Sequence, residues 1–272
     1  MTTLLSGQTV LVTGASRGLG KAIAIHLAAA GARVALVART REQLEEGVAH
    51  INENGGEAIS VVADVTDRTA VEAAVDTTCQ QYGAISILVN NAGLARPYGP
   101  VGVIDPDEWW HSHEIHVRGC LLFMSAVLPA MRERKHGRII NMVSKGGVMI
   151  APYLSSYCVS KATAIRLTEH VDQEIKPDGL SAFAIQPGTI ITDMARESIN
   201  DPDAKKWVPF LVNDLQAIID QDPTDELERL GKQVVALAAG QYDVLSGRYL
   251  DLELDIDALA RDAKAEKDEG CE

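Results

Sequence analysis

Short apolar, β-rich runs alternate with longer segments in which apolar positions recur at helical spacing, and this alternation covers most of the chain. Gln8–Thr13 is followed by a glycine-punctuated turn and the alanine-rich Lys21–Ala30, which reads as strand, tight loop and helix. Arg33–Ala38 is a second strand, Glu42–Asn54 a polar-faced helix ending at Gly55-Gly56, and Ala58–Ala63 a third strand. Asp67 is placed to N-cap a helix through about Tyr82, and Ile85–Val89 is the fourth strand. Asp105-Pro106 supplies a cap and first turn for a long helical region to Arg134, before a fifth strand at Arg138–Val143. A helix opens near Pro152 to Tyr157 and runs to about Ile175, and Leu180–Gln186 is the sixth strand. From there to about Pro223 the chain reads as irregular, and Asp225–Ala239 returns to amphipathic helix. Strand and helix in strict alternation predict an α/β protein with a parallel sheet.

Composition narrows the chemistry. Length 272 is within the range of one α/β domain, and 46% hydrophobic residues suffice for a large core. A net charge of −13 argues against non-specific binding to nucleic acid or an anionic membrane, both of which need a basic surface. Part of that acidity lies after Leu250, where a charge run usually marks a solvated, frayed end. The four cysteines, Cys79, Cys120, Cys158 and Cys271, form no C-x-x-C pair, which suits a reducing cytoplasm. A stretch of about 18 uninterrupted apolar residues, the length of a membrane span, is absent from the sequence, so a soluble, cytoplasmic protein is expected.

The stretch SKGGVMIAPYLSSYCVSK, Ser144 to Lys161, carries the sharpest chemistry. Tyr157 and Lys161 are four apart, so on a helix they share one face. A phenol with a pKa near 10 is a poor acid or base at neutral pH, and an ammonium one turn away favours its ionised form. Ser144, 13 residues earlier at the end of a strand, can hold a substrate oxygen by its hydroxyl. Together they suit proton transfer at a carbonyl or alcohol. Near the start, Gly14, Gly18 and Gly20 let backbone approach a pyrophosphate in front of a helix N-terminus. The second strand ends Ala38-Arg39-Thr40 without a carboxylate, a sequence that suits a 2′-phosphate better than a free ribose.

Four motifs in order, Thr13-Gly14-Ala-Ser-Arg-Gly18-Leu-Gly20, Asn90-Asn91-Ala92-Gly93, Tyr157 with Lys161, and Pro187-Gly188-Thr189-Ile-Ile-Thr192, make the chain resemble the short-chain dehydrogenase/reductase family over roughly Ser6 to Leu252. The resemblance implies a single-domain, Rossmann-like, doubly wound parallel sheet of about seven strands flanked by helices. It implies one NADP(H)-binding domain over 1–252 with a substrate lid at about 189–223, then an acidic tail over 253–272. The activity it implies is an NADP(H)-dependent oxidoreductase that interconverts a ketone or aldehyde and an alcohol. Tyr157 would be the general acid/base, Ser144 would position the oxygen, and Lys161 would tune the phenol and bind the nicotinamide ribose. The residues placed around the cofactor are Gly14, Ser16, Arg17, Gly18, Leu19, Gly20, Arg39, Asp64, Val65, Asn91, Ala92, Gly93, Tyr157, Lys161, Pro187, Gly188, Ile190 and Thr192. Of these Asp64 would bond the adenine amine and Thr192 the nicotinamide carboxamide. NADP(H) is expected over NAD(H), with a small-molecule partner and a homodimer or homotetramer as the assembly.

One departure stands out. Where the family has an asparagine that completes the active-site set through a water, this chain has His116, expected to act as a neutral relay whose loss of activity on acidification follows the imidazole pKa. His111, His113 and His116 do not share a helical face, so no metal site is expected. The cluster Arg132 to Gly137 reads as a solvated helix C-terminus, with a carrier-protein docking patch as the alternative. The helix bearing Tyr157 has apolar residues on two sides, Val159, Ala162, Ile165, Leu167 and Val171 among them, one side to be covered by a partner subunit. In the lid, Trp207 and Phe210 either meet an apolar substrate or anchor the lid to the core. The competing functions are a non-catalytic nucleotide-binding protein and an epimerase or dehydratase on the same fold.

Overall fold

The computed structural model describes residues 3–220 and 225–269. Its strands are β1 (Thr9–Thr13), β2 (Arg33–Ala38), β3 (Glu57–Val62), β4 (Ile87–Asn90), β5 (Arg138–Met142), β6 (Ser181–Gln186) and β7 (Tyr249–Asp251). Among the described residues they form one sheet, parallel throughout, in the order β3-β2-β1-β4-β5-β6-β7. A sheet covered on both faces needs apolar residues on both, which is why β1 and β6 are buried along their whole length. Val10 and Val12 of β1 enter one core and Leu11 between them enters the other. The chain winds outward from β1 to β3, then returns past β1 to β4. The β1/β4 junction is the switch point, where carboxyl ends of strands open a crevice.

The helices are α1 (Gly18–Ala29), α2 (Arg41–Glu53), α3 (Arg68–Tyr82), α4 (Pro106–His113), α5 (Gly119–Arg134), α6 (Ser155–Ile175), α7 (Asp193–Asn200), α8 (Pro202–Trp207), α9 (Pro209–Asp220), α10 (Asp225–Ala238) and α11 (Ile256–Glu269). Leu44 and Ile51 of α2 and Leu230 and Val234 of α10 pack with α1 on one sheet face. Val71 of α3, Phe123 of α5 and Val171 of α6 cover the other. Asp67 caps α3 as expected, its Oδ1 accepting from Thr69 N and Ala70 N. The Pro106–Arg134 run is apolar enough by composition to cross a membrane, at a mean hydropathy of 1.3, yet its Phe123, Met124, Val127 and Met131 are buried on the sheet.

Two regions differ from the sequence reading. The irregular stretch before residue 221 is three short helices, α7 to α9. Asp201-Pro202 restarts the helix by capping, Asp201 Oδ1 accepting from Asp203 N and Ala204 N, and Pro209 begins the next. Helices this short, broken by proline, leave no long periodic signal. The expected lid residues 221–223 lie outside the described residues, as do 270–272 of the tail and with them Cys271. The rest of the tail is the helix α11, not a solvated run: Ile256, Ala260 and Ala263 are buried, and Tyr242 Oη donates to Asp257 Oδ1 at 2.7 Å. The apolar stripe at spacings of four and three outweighs the charge count.

Part of the basic cluster at the end of α5 is engaged within the fold. Arg132 lies 3.4 Å from Asp178 and Arg134 donates to Ile85 O at 2.6 Å, while Arg138, the first residue of β5, pairs with Asp243 at 2.6 Å. These cations fasten strand and helix ends, as expected of a helix C-terminus. On α6, Ile165 and Val171 are buried, whereas Val159 is 45% exposed and Ala162 is also exposed.

Candidate active site

At the switch point the first turn after β1 lies against the loop after β4. Gly14 has a φ of +64°, and a Cβ there would lie 2.7 Å from Ala92 Cα. A Cβ on Gly20 would meet Gly14 O at 2.3 Å, so this glycine lets α1 seat against its own entry loop and does not line the cavity. Asn91 binds the two loops together, its Nδ2 donating to Thr13 O at 3.0 Å and to Gly14 O at 3.2 Å. Thr13 Oγ1 accepts from Asn91 N and Ala92 N.

In front of this junction is a cavity of about 480 Å³. Apart from Gly20, it gathers every residue expected around the cofactor, from Gly14 and Arg39 on one side to Tyr157, Lys161 and Thr192 on the other. Residues that the sequence reading missed, Gln43, Leu94, Met142, Asp193 and Met194 among them, also line it. Asp193 alone had a usable signal, standing four before Glu197 so that both acids share one face of α7.

The end of β2 offers Arg39 and Thr40 and carries no carboxylate of its own. Asp64, at the end of β3, accepts through Oδ1 from Thr66 N at 2.9 Å and Thr66 Oγ1 at 2.8 Å. Burial raises the carboxyl's pKa, but these bonds and the Arg39 charge outweigh it and leave the group below its ordinary value. Arg17, expected on the cofactor side, is held by α7: its Nη1 lies 2.5 Å from Glu197 Oε1 and 3.9 Å from Asp193 Oδ2.

Ser144 ends β5's extension and caps a tight turn, its Oγ accepting from Gly146 N at 3.1 Å. The neighbouring Lys145 is tied to Glu253 and, at 3.7 Å, to Asp251, which fixes this turn to the end of β7. Tyr157 stands in the first turn of α6, near enough to the Ser144 hydroxyl for that group to favour its ionised form. Lys161 is buried, with Nζ donating to Met142 O at 2.8 Å and lying 5.7 Å from the centre of the Tyr157 ring. Here the electrostatic expectation is overturned. Burial raises the Tyr157 pKa against the opposing influence of Ser144, and burial lowers that of Lys161 to about 8. Desolvation disfavours the charged form of each.

His116 is placed by an unusual backbone. Between α4 and α5 the helix widens into a π turn, Glu114–Arg118, a feature frequent at functional sites. The buried imidazole accepts from Leu94 N at Nε2, 3.0 Å away, so the ring proton is on Nδ1, which donates to Ser160 Oγ at 2.8 Å. Both nitrogens are committed to protein partners, and the relay reading is not supported by this bonding. Burial, with Lys161 and His113 nearby, holds the His116 pKa well below 6.5, so the acid limb expected at the ordinary imidazole pKa is displaced as well. The neighbouring histidines are engaged elsewhere, His113 stacked on Trp109 with ring centres 4.2 Å apart and His111 3.2 Å from Glu114.

Helices α7 and α8 are fastened to the loops after β4 and before α6. Tyr98 Oη and Ser198 Oγ are 2.6 Å apart, and the Trp207 ring lies 5.5 Å from that of Tyr153. Tyr98, Leu154, Ala204 and Val208 form a small core against which Tyr157 and Cys158 pack. Trp207 is therefore an anchor, whereas Phe210 stays 45% exposed.

Comparison with known proteins agrees with this geometry. The family described as short chain dehydrogenase matches residues 8–203. A 3-oxoacyl-(acyl-carrier-protein) reductase of Synechocystis sp. is 38% identical over 209 residues, covering 76% of this chain and 84% of that protein. A metagenomic short-chain oxidoreductase solved in complex with NADP shares 30% identity at a TM-score of 0.70, over 87% of this chain and 92% of that one. NAD+-bound xylitol dehydrogenase shares 30% identity at a TM-score of 0.78, over 91% and 98%. With its parallel sheet, its glycine-lined cavity and this match across most of its length, the chain belongs to the short-chain dehydrogenase family of oxidoreductases.

Proposed function

We propose that the protein is an NADP(H)-dependent oxidoreductase that interconverts a ketone or aldehyde with the corresponding alcohol, using Tyr157 as general acid/base. The observation that carries this is the Tyr157 phenol, beside Ser144 and 5.7 Å, at its ring centre, from the Lys161 ammonium, in a cavity whose far end has the backbone of a pyrophosphate cradle. The fit to a dinucleotide rests on close backbone approach: Gly14 and Gly18, at φ of +64° and +54°, line the cavity with main chain in front of the N-terminus of α1.

When bound, the nicotinamide supplies or accepts the hydride. In the reductive direction Tyr157 gives its proton to the substrate oxygen, and in the oxidative direction it takes that proton back. A phenol kept neutral by burial is suited to the donating role. Ser144 holds the same oxygen by hydrogen bond. Lys161, held by Met142 O, would bind the ribose of the nicotinamide, and Thr192, in the same cavity lining, its carboxamide. Arg39, in the absence of an acid at the β2 end, favours the 2′-phosphate. Asp64 retains a free carboxylate oxygen for the adenine amine. The exposed apolar residues Val159 of α6 and Leu121 of α5 support association with a second copy.

The test is a panel of ketones and alcohols followed by nicotinamide absorbance with each cofactor. Turnover with NADPH is expected; tight binding of NADPH without turnover of any substrate would leave the nucleotide-binding alternative.

A further inference from the structure

Arg17 stands between two anionic claims. It is the residue before α1, inside the glycine turn, and with Arg39 it is among the residues that line the cavity. Its side chain nonetheless turns to α7, where Glu197 Oε1 is 2.5 Å away and Asp193 Oδ2 3.9 Å. We propose that Glu197, backed by Asp193, is a specificity-determining residue: it competes with the nucleotide 2′-phosphate for Arg17 and so narrows the preference for NADP(H) over NAD(H). The proposal rests on the assignment of Arg17 and Arg39 to that phosphate.

The magnitudes favour exchange over a permanent lock. Arg17 and Glu197 are 48% and 61% exposed, and an exposed pair of this kind is weak. A phosphate carries more charge than one carboxylate and offers a guanidinium two parallel bonds, with Arg39 as a second cation. It can displace Glu197, but it does so beside acids that cannot withdraw far. A side chain at Gly18 would touch the Thr192 side chain at 3.4 Å, so the start of α7 lies against the glycine turn and keeps Asp193 near the incoming charge. NADH brings no phosphate to that position and leaves the Arg17–Glu197 pair intact. The lid carboxylate therefore opposes only one of the two cofactors.

The experiment is direct titration of NADPH and NADH, by cofactor fluorescence, into the intact chain and its Glu197→Gln, Arg17→Ala, Arg17→Ala/Glu197→Gln and Arg39→Asp variants. Glu197→Gln is expected to tighten NADPH about two- to fivefold, the scale of an exposed ion pair, while NADH stays constant. In the Arg17→Ala background the same change should have no effect. Tightening that persists without Arg17, or Glu197→Gln weakening both cofactors alike, would overturn the competition. If Arg39→Asp leaves NADPH affinity intact, the assignment of the 2′-phosphate fails. If Arg39→Asp weakens NADPH while Glu197→Gln changes nothing, only the competition fails.

Discussion

His116 Nε2 accepts the backbone N–H of Leu94 at 3.0 Å, joining the wide turn of a long helix to the loop that carries Asn91, Ala92 and Gly93 into the cavity. The contact is close enough that a side chain at Gly93 would lie 2.7 Å from the same nitrogen. The histidine thus shapes the cofactor side of the cavity by holding backbone.

Replacing His116 with alanine leaves a buried N–H unpaired, which costs about 1–3 kcal/mol. Its depressed pKa gives a sign to the acid response. Between that low value and about 6.5 the unfolded chain takes up a proton that the folded chain refuses, so stability falls as pH drops below about 6.5. His116→Asn should therefore lose less stability than wild type between pH 7 and pH 5, read by denaturant titration at each pH. Equal losses in the two proteins would show that the buried imidazole does not set the acid response.

Lys161 predicts the opposite limb. Its pKa falls from 10.5 to about 8 on folding, so the folded state carries a disfavoured ammonium at pH 7 and is relieved as pH rises from about 8 to 10.5. The penalty below pH 8 is about 3 kcal/mol at 1.36 kcal/mol per pKa unit. Lys161→Met should exceed wild type in stability at pH 7 and lose that advantage toward pH 10.5, while its activity collapses. A constant difference across the range would mean that the ammonium is adequately solvated in the fold.

Tyr157→Phe should remove at least about two orders of magnitude of turnover, the scale of a lost general acid. NADPH affinity, measured by titration, should change little, since the ring and its packing against Leu154 and Cys158 remain. Retained turnover would place the proton donor elsewhere.

Arg39→Asp should raise KM for NADPH and lower it for NADH. The new carboxylate repels a 2′-phosphate and accepts from a free ribose hydroxyl. A wild type that already prefers NADH would contradict the reading of the β2 end.

The strands were legible because a sheet buried on both faces writes itself as apolar runs, and Val34 to Ala38 or Ala182 to Ile185 can be little else. The glycine turn and the Tyr157/Lys161 spacing were legible because backbone approach and a helical face demand particular residues at particular offsets. What escaped depends on distance through space. Arg17 and Glu197 are 180 residues apart, and nothing local announces that the lid claims the arginine. Leu94 and His116 meet through a backbone N–H, which any residue but proline would offer. The direction of the Tyr157 shift differs from the sequence reading for a related reason: the offset of four reveals attraction, and only the fold reveals how completely water is removed.

The wide turn at Glu114–Arg118 gives its helix a surplus residue. An i→i+5 closure holds one residue more than the closures on either side, so the two halves stand out of phase by roughly 100°. Deleting one residue there would bring them back into phase and swing Trp109, whose indole donates to Ser155 Oγ at 3.0 Å, away from α6. The inward aim of position 116 is thus a property of the main chain, inherited by whatever side chain occupies it. An imidazole can stand where the family resemblance implies an amide because the wide turn does the aiming, and the occupant only chooses which neighbours to bond.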